Sequence, residues 1–364
     1  YLNGQGLQTP KLFEIPKENV PIGVEEFPLF YKFCGAGQFS CFPKAVLEDK
    51  PYPIRGLMVL GGSPVLSFPD SKSWREAYKK LDCLIVLDRY FTEDARYADV
   101  VFPSCSLFEV PKVVPGPEGP QIEEPFIAPV GEAKNDVLIL GNIADKLGFG
   151  DKLPQTEEEL REWLLSGIAP NAGDFASKLN QKQEKHYKKY ETGELRADGK
   201  PGFPTPTGKL EICSTILEEN GFVPYPEYKD IRSIPELSGK EYPFTMTSGA
   251  RSNNRMGVFG ANLEGITAIE PYPVVDINEE DAKELGIADG DMVKVTTPFA
   301  NGCFKAKIRG VARHAIHIPH GGGSAYMSEP WKNGNVNDLC SLDYADPMTG
   351  FVLIKSVPCR VEKA

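Results

Sequence analysis

The sequence predicts an α/β domain followed by a small closed β-barrel, and three observations lead to this fold class. Two short apolar runs, Gly56–Leu60 and Cys83–Leu87, each end in a turn and enclose an amphipathic helix pattern. After Tyr242 the pattern changes to short β-type runs separated by turns. The length of 364 residues allows two or three domains. The expected segments are an irregular wrapping segment at 1–50, the α/β domain at 51–150, a helical or linker region at 151–240 and the barrel at 241–364.

The α/β region consists of strands that alternate with helices. The helix between the first two strands is capped by Asp70 or Ser71, and its apolar positions share one face. A parallel strand pair joined by such a helix makes a right-handed crossover. Thr92 can cap a further short helix, a third strand is predicted at Asp99–Pro103, and Asn135 begins a helix that stops at Gly148.

The barrel prediction depends on strands that alternate apolar with polar residues. A single helix, Glu279–Leu285, is capped by Asn278 and lies among these strands. Closure into a barrel removes the edges that many short strands would otherwise expose. The predicted strands are Phe244–Thr247, Val274–Ile277, Met292–Thr297 and Phe304–Ile308.

Composition and charge exclude several classes of protein. The chain has 40 Lys and Arg against 51 Asp and Glu, a net charge of −11, so we expect no nucleic-acid partner. No apolar run approaches the roughly 20 residues that cross a bilayer, so no membrane span is expected. The eight cysteines include no C-x-x-C pair, and the close pair Cys34 and Cys41 fits ordinary thiols better than a metal or cluster site. Because the chain lacks an initiator Met, we expect it to begin inside a longer protein.

Two glycine-containing loops are candidate ligand sites. The loop Gly61–Pro64 ends a strand and precedes a helix, a place where backbone can approach a phosphate, although a plain turn explains it too. Asp88 ends the neighbouring strand and can accept two donors from a ribose or a guanine edge, which favours a nucleotide. The second loop, Thr247–Arg255, offers small donors and two guanidinium groups, or is an ordinary surface loop.

Two further polar segments lie near the carboxyl end of the chain. His314, His317 and His320 are predicted to lie along one strand, where His317 faces away from the other two, so we do not expect a metal site. The glycines at 321–323 would let the backbone pass close to a flat or bulky group. The amide-rich segment Asn333–Leu339 either matches the edge of a heterocycle or forms turns.

These segments together resemble the molybdopterin oxidoreductases of the dimethyl-sulfoxide-reductase type, from about residue 50 to the end. In that family the fold is a partial Rossmann-like parallel sheet, split from its other strands, followed by a double-psi β-barrel that binds a molybdopterin dinucleotide. The matching motifs in the first half are Tyr52–Gly56, Gly61–Pro64, Leu84–Asp88, Thr92–Ala95 and Ala98–Pro103. Those in the second half are Thr205–Glu211, Pro273–Asn278, Asp281–Ala282, Leu285–Ile287, Asp289–Asp291 and Val293.

The resemblance implies a bis(molybdopterin guanine dinucleotide) cofactor around molybdenum or tungsten. Carried over by position, Gly62, Ser63 and Pro64 would lie at a guanosine diphosphate arm, and Asp88 and Thr92 would hold the guanosine. The residues implied to contact the pterins or pyrophosphates are Ser248, Gly249, Arg251, Asn337 and Lys355. The closing pattern around Asp346–Pro347 and Gly350–Phe351 is similar to the branch with acetylene hydratase and the arsenic or sulfur oxyanion enzymes.

The chain also departs from the family. The C-x-x-C-x-x-x-C motif of a 4Fe-4S cluster is not in the sequence, and the region of the metal ligand would precede Tyr1. We therefore expect a carboxy-terminal fragment that is inactive alone, whose partners are the missing amino-terminal part and an iron-sulfur electron-transfer subunit. The parent enzyme would perform two-electron redox or oxygen-atom transfer. The alternatives are a hydratase-like member, a non-catalytic assembly subunit with a degenerate domain as in respiratory NADH dehydrogenase, and a barrel that binds partners without a cofactor.

Overall fold

The computed structural model describes residues 12–116, 119–166, 187–249 and 263–364. Contacts among these residues divide the chain into two compact units. The barrel unit takes the described parts of Tyr1–Gly56, Ser63–Asp82 and Tyr187–Ala364, and the sheet unit takes those of Leu57–Gly62 and Cys83–His186. The units therefore interleave along the chain. None of the helices in the described ranges is long and apolar enough to cross a membrane.

Short helices and strands alternate through the described residues. The helices are α1 (Pro28–Cys34), α2 (Phe42–Glu48), α3 (Pro64–Ser67), α4 (Ser71–Lys80), α5 (Asp136–Lys146), α6 (Glu157–Ser166), α7 (Lys189–Thr192), α8 (Thr215–Glu219), α9 (Glu264–Ile269), α10 (Glu279–Glu284) and α11 (Glu329–Lys332). The strands are β1 (Gly56–Leu60), β2 (Cys83–Asp88), β3 (Val100–Pro103), β4 (Lys112–Gly116), β5 (Gly119–Glu123), β6 (Phe244–Ser248), β7 (Val274–Ile277), β8 (Met292–Thr296), β9 (Asn301–Ile308), β10 (Ala315–Ile318) and β11 (Lys355–Lys363).

The sheet unit is built on a three-stranded sheet in the order β1-β2-β3, in which β2 and β3 run parallel. The strands lie where the apolar runs predict them. The side chain of Asn135 caps α5 by accepting from the amide of Val137 at 2.9 Å, as predicted. The predicted Thr92 cap precedes a 3-10 helix at Asp94–Arg96. The hairpin β4-β5 was not predicted, because prolines and glycines interrupt its strand pattern.

The barrel unit contains a closed barrel with the strand order β10-β6-β11-β8-β9-β7. The pairs β6-β10 and β7-β9 are parallel, and the other four are antiparallel. The barrel encloses a core of apolar side chains, since every second residue of a strand points to the same face. Among its buried side chains are Phe244, Met246, Val275, Ile277, Phe304 and Ile316. The predicted closed barrel is thus confirmed, and Asn278 caps α10 as expected.

The segment expected to be irregular contains α1 and α2. Each helix carries a proline in its first turn, where proline begins a helix because the missing amide has no partner there in any case. In α2 the ring of Phe42 stacks on Trp74 of α4, with centroids 5.4 Å apart. This contact lies within the barrel unit and attaches the amino-terminal helices to α4.

The three histidines do not share one strand, so that prediction is wrong. Only His317 lies in β10, while His314 precedes the strand with a left-handed φ of 56°. The amide of His314 donates to the buried carboxylate of Asp281 at 2.7 Å, and Arg313 Nε donates to the same carboxylate at 2.6 Å. These contacts join the residues just before β10 to Asp281 of α10.

Candidate functional site

The glycine loop after β1 presents open backbone. Gly61 has a left-handed φ of 58°, and its amide donates to the carbonyl of Leu87 at 2.8 Å. A Cβ added to Gly61 would contact nothing within 4 Å, and one added to Gly62 would lie 3.9 Å from its nearest neighbour, the carbonyl of Leu60. The loop therefore has room for a ligand to approach its main chain.

Asp88 and Thr92 lie at the same edge of the sheet, because β2 ends beside the glycine loop. Asp88 is half-buried and accepts from the amide of Tyr90 at 3.0 Å. Burial raises the pKa of Asp88, backbone hydrogen bonds from Tyr90 and Arg89 oppose this, and the charge of Asp136 raises it further. Thr92 is buried and accepts from the amide of Ala95 at 3.3 Å. The sequence placed both residues beside Gly62, and the structure brings them to this edge.

Two residues that the sequence analysis missed complete this edge. Ser104 follows β3, and its amide donates to the carbonyl of Asp88 at 3.1 Å. Asp136 opens α5, and its charge acts on the pKa of Asp88. Ser104 Oγ and Asp136 Oδ1 are both buried, and neither has a hydrogen-bond partner among the described residues. The sequence could have indicated both residues, because the carboxyl ends of neighbouring parallel strands and the start of the helix that follows meet at one edge of a sheet.

The chemistry of this edge suits a ligand with several N–H or O–H donors. Buried polar atoms without partners are uncommon in proteins and call for an explanation, of which a bound ligand is one. Two carboxylates that influence each other accept donors and offer none. Guanine presents such donors at its N1 and N2 positions, and a ribose presents hydroxyls. The residues Asp88, Ser104 and Asp136 therefore fit a guanosine, and the open glycine loop fits its phosphates.

A second group of predicted residues meets at one end of the barrel. Ser248 ends β6 and donates its hydroxyl to the carbonyl of Ile354 at 2.8 Å. Gly249 follows with a φ of 103° and open space where a Cβ would stand. Lys355 pairs with Thr247 across the sheet, and the register shifts between Lys355 and Val357. Arg251, predicted for the same group, lies outside the described residues.

A cavity of about 530 Å³ opens beside Lys355 in the barrel unit. Its walls are mostly apolar, and Lys355 is exposed there. The residues that line it include Ile231, Ile234, Tyr344, Val352, Leu353 and Ile354. The volume falls in the range of small-molecule sites, which are concave and mostly apolar with a few polar groups.

Ser63, Pro64 and Asn337 lie in the barrel unit and are linked through Leu66. Pro64 opens the four-residue helix α3, and Ser63 is its buried N-terminal neighbour. Asn337 was predicted to face a heterocycle or to form a turn. Its amide nitrogen donates to the carbonyl of Leu66 at 2.7 Å, so this donor is used inside the protein.

Comparisons with known proteins agree with this architecture. The model of the molybdopterin oxidoreductase family matches residues 34–146, and that of the molydopterin dinucleotide binding domain matches residues 245–358. The Bacillus subtilis (strain 168) protein named "Probable oxidoreductase YoaE" is 30% identical over 261 residues, 69% of this chain and 36% of that protein. Acetylene hydratase of Syntrophotalea acetylenica is 26% identical over 302 residues, 79% of this chain and 40% of that enzyme.

A solved structure shows the same fold. Acetylene hydratase from Pelobacter acetylenicus superposes with a TM-score of 0.76 at 22% identity, covering 99% of this chain and 55% of that one. The chain thus spans less than half the length of the curated relatives named above. The two family models and these relatives establish that the chain belongs to the molybdopterin oxidoreductases of the dimethyl-sulfoxide-reductase family.

Proposed function

We propose that this chain holds a guanosine diphosphate arm of a bis(molybdopterin guanine dinucleotide) cofactor that carries molybdenum or tungsten. The observation that carries the proposal is the polar edge of the sheet unit, where Asp88, Ser104 and Asp136 lie beside the open loop at Gly61 and Gly62. The sheet is then a partial Rossmann-like sheet, and the barrel is a double-psi β-barrel.

Each residue has a stated task in this proposal. Asp88 and Asp136 accept the N–H groups of guanine or the hydroxyls of ribose, Thr92 and Ser104 add hydroxyls, and the main chain at Gly62 meets a phosphate. At the barrel end, Gly249 lets the chain approach a pterin, and Lys355 supplies positive charge to a pyrophosphate. When bound, the cofactor supplies the two-electron redox or oxygen-atom transfer chemistry, and the protein binds and orients it.

The whole enzyme requires more than these residues. The sequence has no cysteine motif for a 4Fe-4S cluster, so in this proposal the cluster and the metal ligand belong to an amino-terminal part of the same protein. An iron-sulfur subunit is the proposed electron partner. A hydratase-like reaction is the second candidate, because acetylene hydratase is found both among the sequence relatives and among the solved structures with this fold.

Calorimetric titration of the chain with GDP and ADP tests the proposed site. We expect GDP to bind more tightly than ADP, because adenine lacks the N1–H and N2 donors that the two carboxylates accept. Asp136→Asn should weaken GDP binding by about tenfold or more, the effect of one hydrogen bond to a charged group. The control is Asp151→Asn, which changes an exposed aspartate of the same unit. Equal binding of GDP and ADP would contradict the guanosine assignment.

Binding should also depend on pH through Asp88. Burial raises the pKa of Asp88, so the carboxylate gains a proton at a higher pH than an exposed aspartate does. The folded protein is therefore relatively more stable below the ordinary pKa, and this contribution is lost as the pH rises through the raised value. Because donors bind the ionised form, guanosine affinity should fall as the pH is lowered through that value. Titrations at several pH values check this, and Asp88→Asn should flatten the profile.

Metal and pterin analysis of the complete enzyme tests the cofactor itself. Molybdenum or tungsten together with a guanine-tailed pterin is expected. An enzyme without metal or pterin favours the non-catalytic assembly subunit. Turnover with no net change in the oxidation state of the substrate distinguishes a hydratase-like reaction from oxygen-atom transfer.

A further inference from the structure

We infer that Asn337 is a positioning residue for Ser63 and Pro64, the part of the glycine loop that lies in the barrel unit, and that it acts on them through α3. This inference rests on the proposed function, because it takes the loop before α3 to be the phosphate contact. The amide nitrogen of Asn337 donates to the carbonyl of Leu66 at 2.7 Å, and its main-chain carbonyl accepts from the amide of Asp70 at 3.0 Å. One asparagine of the barrel unit thus binds both sides of the corner between α3 and α4.

Asn335 reinforces this corner. Its amide nitrogen donates to Ser71 Oγ at 3.1 Å and approaches the carbonyl of Leu66 at 3.4 Å, while its oxygen accepts from the amide of Asn337 at 3.1 Å. Both asparagines are almost fully buried, at 2% and 3% exposure. Losing the donor of Asn337 would therefore leave the carbonyl of Leu66 with only the longer contact of 3.4 Å from Asn335. We call these two residues the asparagine clamp.

The clamp adds hydrogen bonds to the packing of Val65 and Leu66, which are fully buried in α3. A helix of four residues is too short to be stable alone, since the first turn fixes several dihedral angles for few hydrogen bonds. Gly61 and Gly62 precede it without side chains that could anchor the loop. Ser63 is linked to the clamp because the amide of Leu66 donates to its carbonyl at 3.0 Å, so no clamp residue needs to touch the ligand.

Hydrogen exchange measured by mass spectrometry tests this role in the whole 364-residue chain. In Asn337→Asp a carboxylate replaces the donor and faces the carbonyl of Leu66, which is repulsive. The amides of Leu66, Ser67 and Phe68, which donate to the carbonyls of Ser63 and Pro64, should then exchange at least tenfold faster. Amides in β8 and β9 should keep their wild-type rates. Asn333→Asp, at an exposed amide two residues before the clamp, is the matched control and should change neither set.

GDP affinity provides the second readout. Asn337→Asp should weaken GDP binding by about tenfold at a temperature where circular dichroism shows the variant to be folded. Ser71→Ala removes only the contact with Asn335, so it should weaken GDP binding by a smaller factor. This variant tests the inference if Asn337→Asp does not fold. Wild-type exchange in α3 together with wild-type GDP affinity would overturn the inference, as would faster exchange throughout the barrel. If the wild-type chain binds no GDP, the proposed function fails, whereas faster exchange confined to α3 would still support the clamp.

Discussion

Replacing Arg313 by methionine is expected to lower the free energy of unfolding by about 3 kcal/mol, because it leaves a buried carboxylate without its cation. The side chain of Asp281 is fully buried, and Arg313 Nε donates to it at 2.6 Å. After the substitution the carboxylate keeps the amide of His314 at 2.7 Å, and His314 Nδ1 lies 3.7 Å from it. Urea unfolding followed by circular dichroism measures the change.

A surface ion pair of the same unit provides the control. Arg360 approaches Glu362 at 3.4 Å with both side chains nearly half exposed, and Arg360→Met should cost less than about 1 kcal/mol. The double variant Arg313→Met with Asp281→Asn should regain part of the loss, since the uncompensated charge is gone. An Arg313→Met protein as stable as the wild type would show that the Asp281 pair does not stabilise the barrel unit.

Replacing Gly62 by valine is expected to weaken GDP binding at least about tenfold, or about 1.4 kcal/mol, while the fold stays intact. The φ of Gly62 lies outside the left-handed region, and a Cβ there would be 3.9 Å from its nearest neighbour. The protein alone therefore tolerates a side chain, and stability should stay within about 0.5 kcal/mol. The side chain would instead fill the space through which a phosphate reaches the main chain.

Gly141 is the control in the same unit, because a side chain there should lower stability and leave GDP binding unchanged. A Cβ at Gly141 would lie 2.1 Å from the carbonyl oxygen of Pro154, so Gly141→Ala should destabilise the fold by about 1–3 kcal/mol. Its folded fraction should bind GDP like the wild type, because Gly141 is remote from the glycine loop in the sequence and lies inside α5. A Gly62→Val protein that binds GDP normally would exclude this loop as the phosphate contact.

Short-range patterns in the sequence were enough to predict most of the strands and helices around the candidate site. Strands β1 and β7 lie at the predicted residues, and Asn135 and Asn278 cap the helices that follow them. These features depend on residues a few positions apart, through alternating burial and a cap that binds its own helix. The same information placed Gly62 and Asp88 at the ends of neighbouring strands.

Other features depend on partners far away in the sequence. Asn337 donates a hydrogen bond to the carbonyl of Leu66, which lies 271 residues away in the sequence, and Arg313 donates to Asp281, which lies 32 residues away. Ser104 and Asp136 become candidate ligand contacts only because folding buries them at the same sheet edge as Asp88. The sequence by itself determined most elements around the site and the family of this protein, because periodicity, caps and motifs are local. Only the tertiary structure decided which polar groups are buried without a partner and which hold the fold, since burial and long-range pairing arise when distant segments meet.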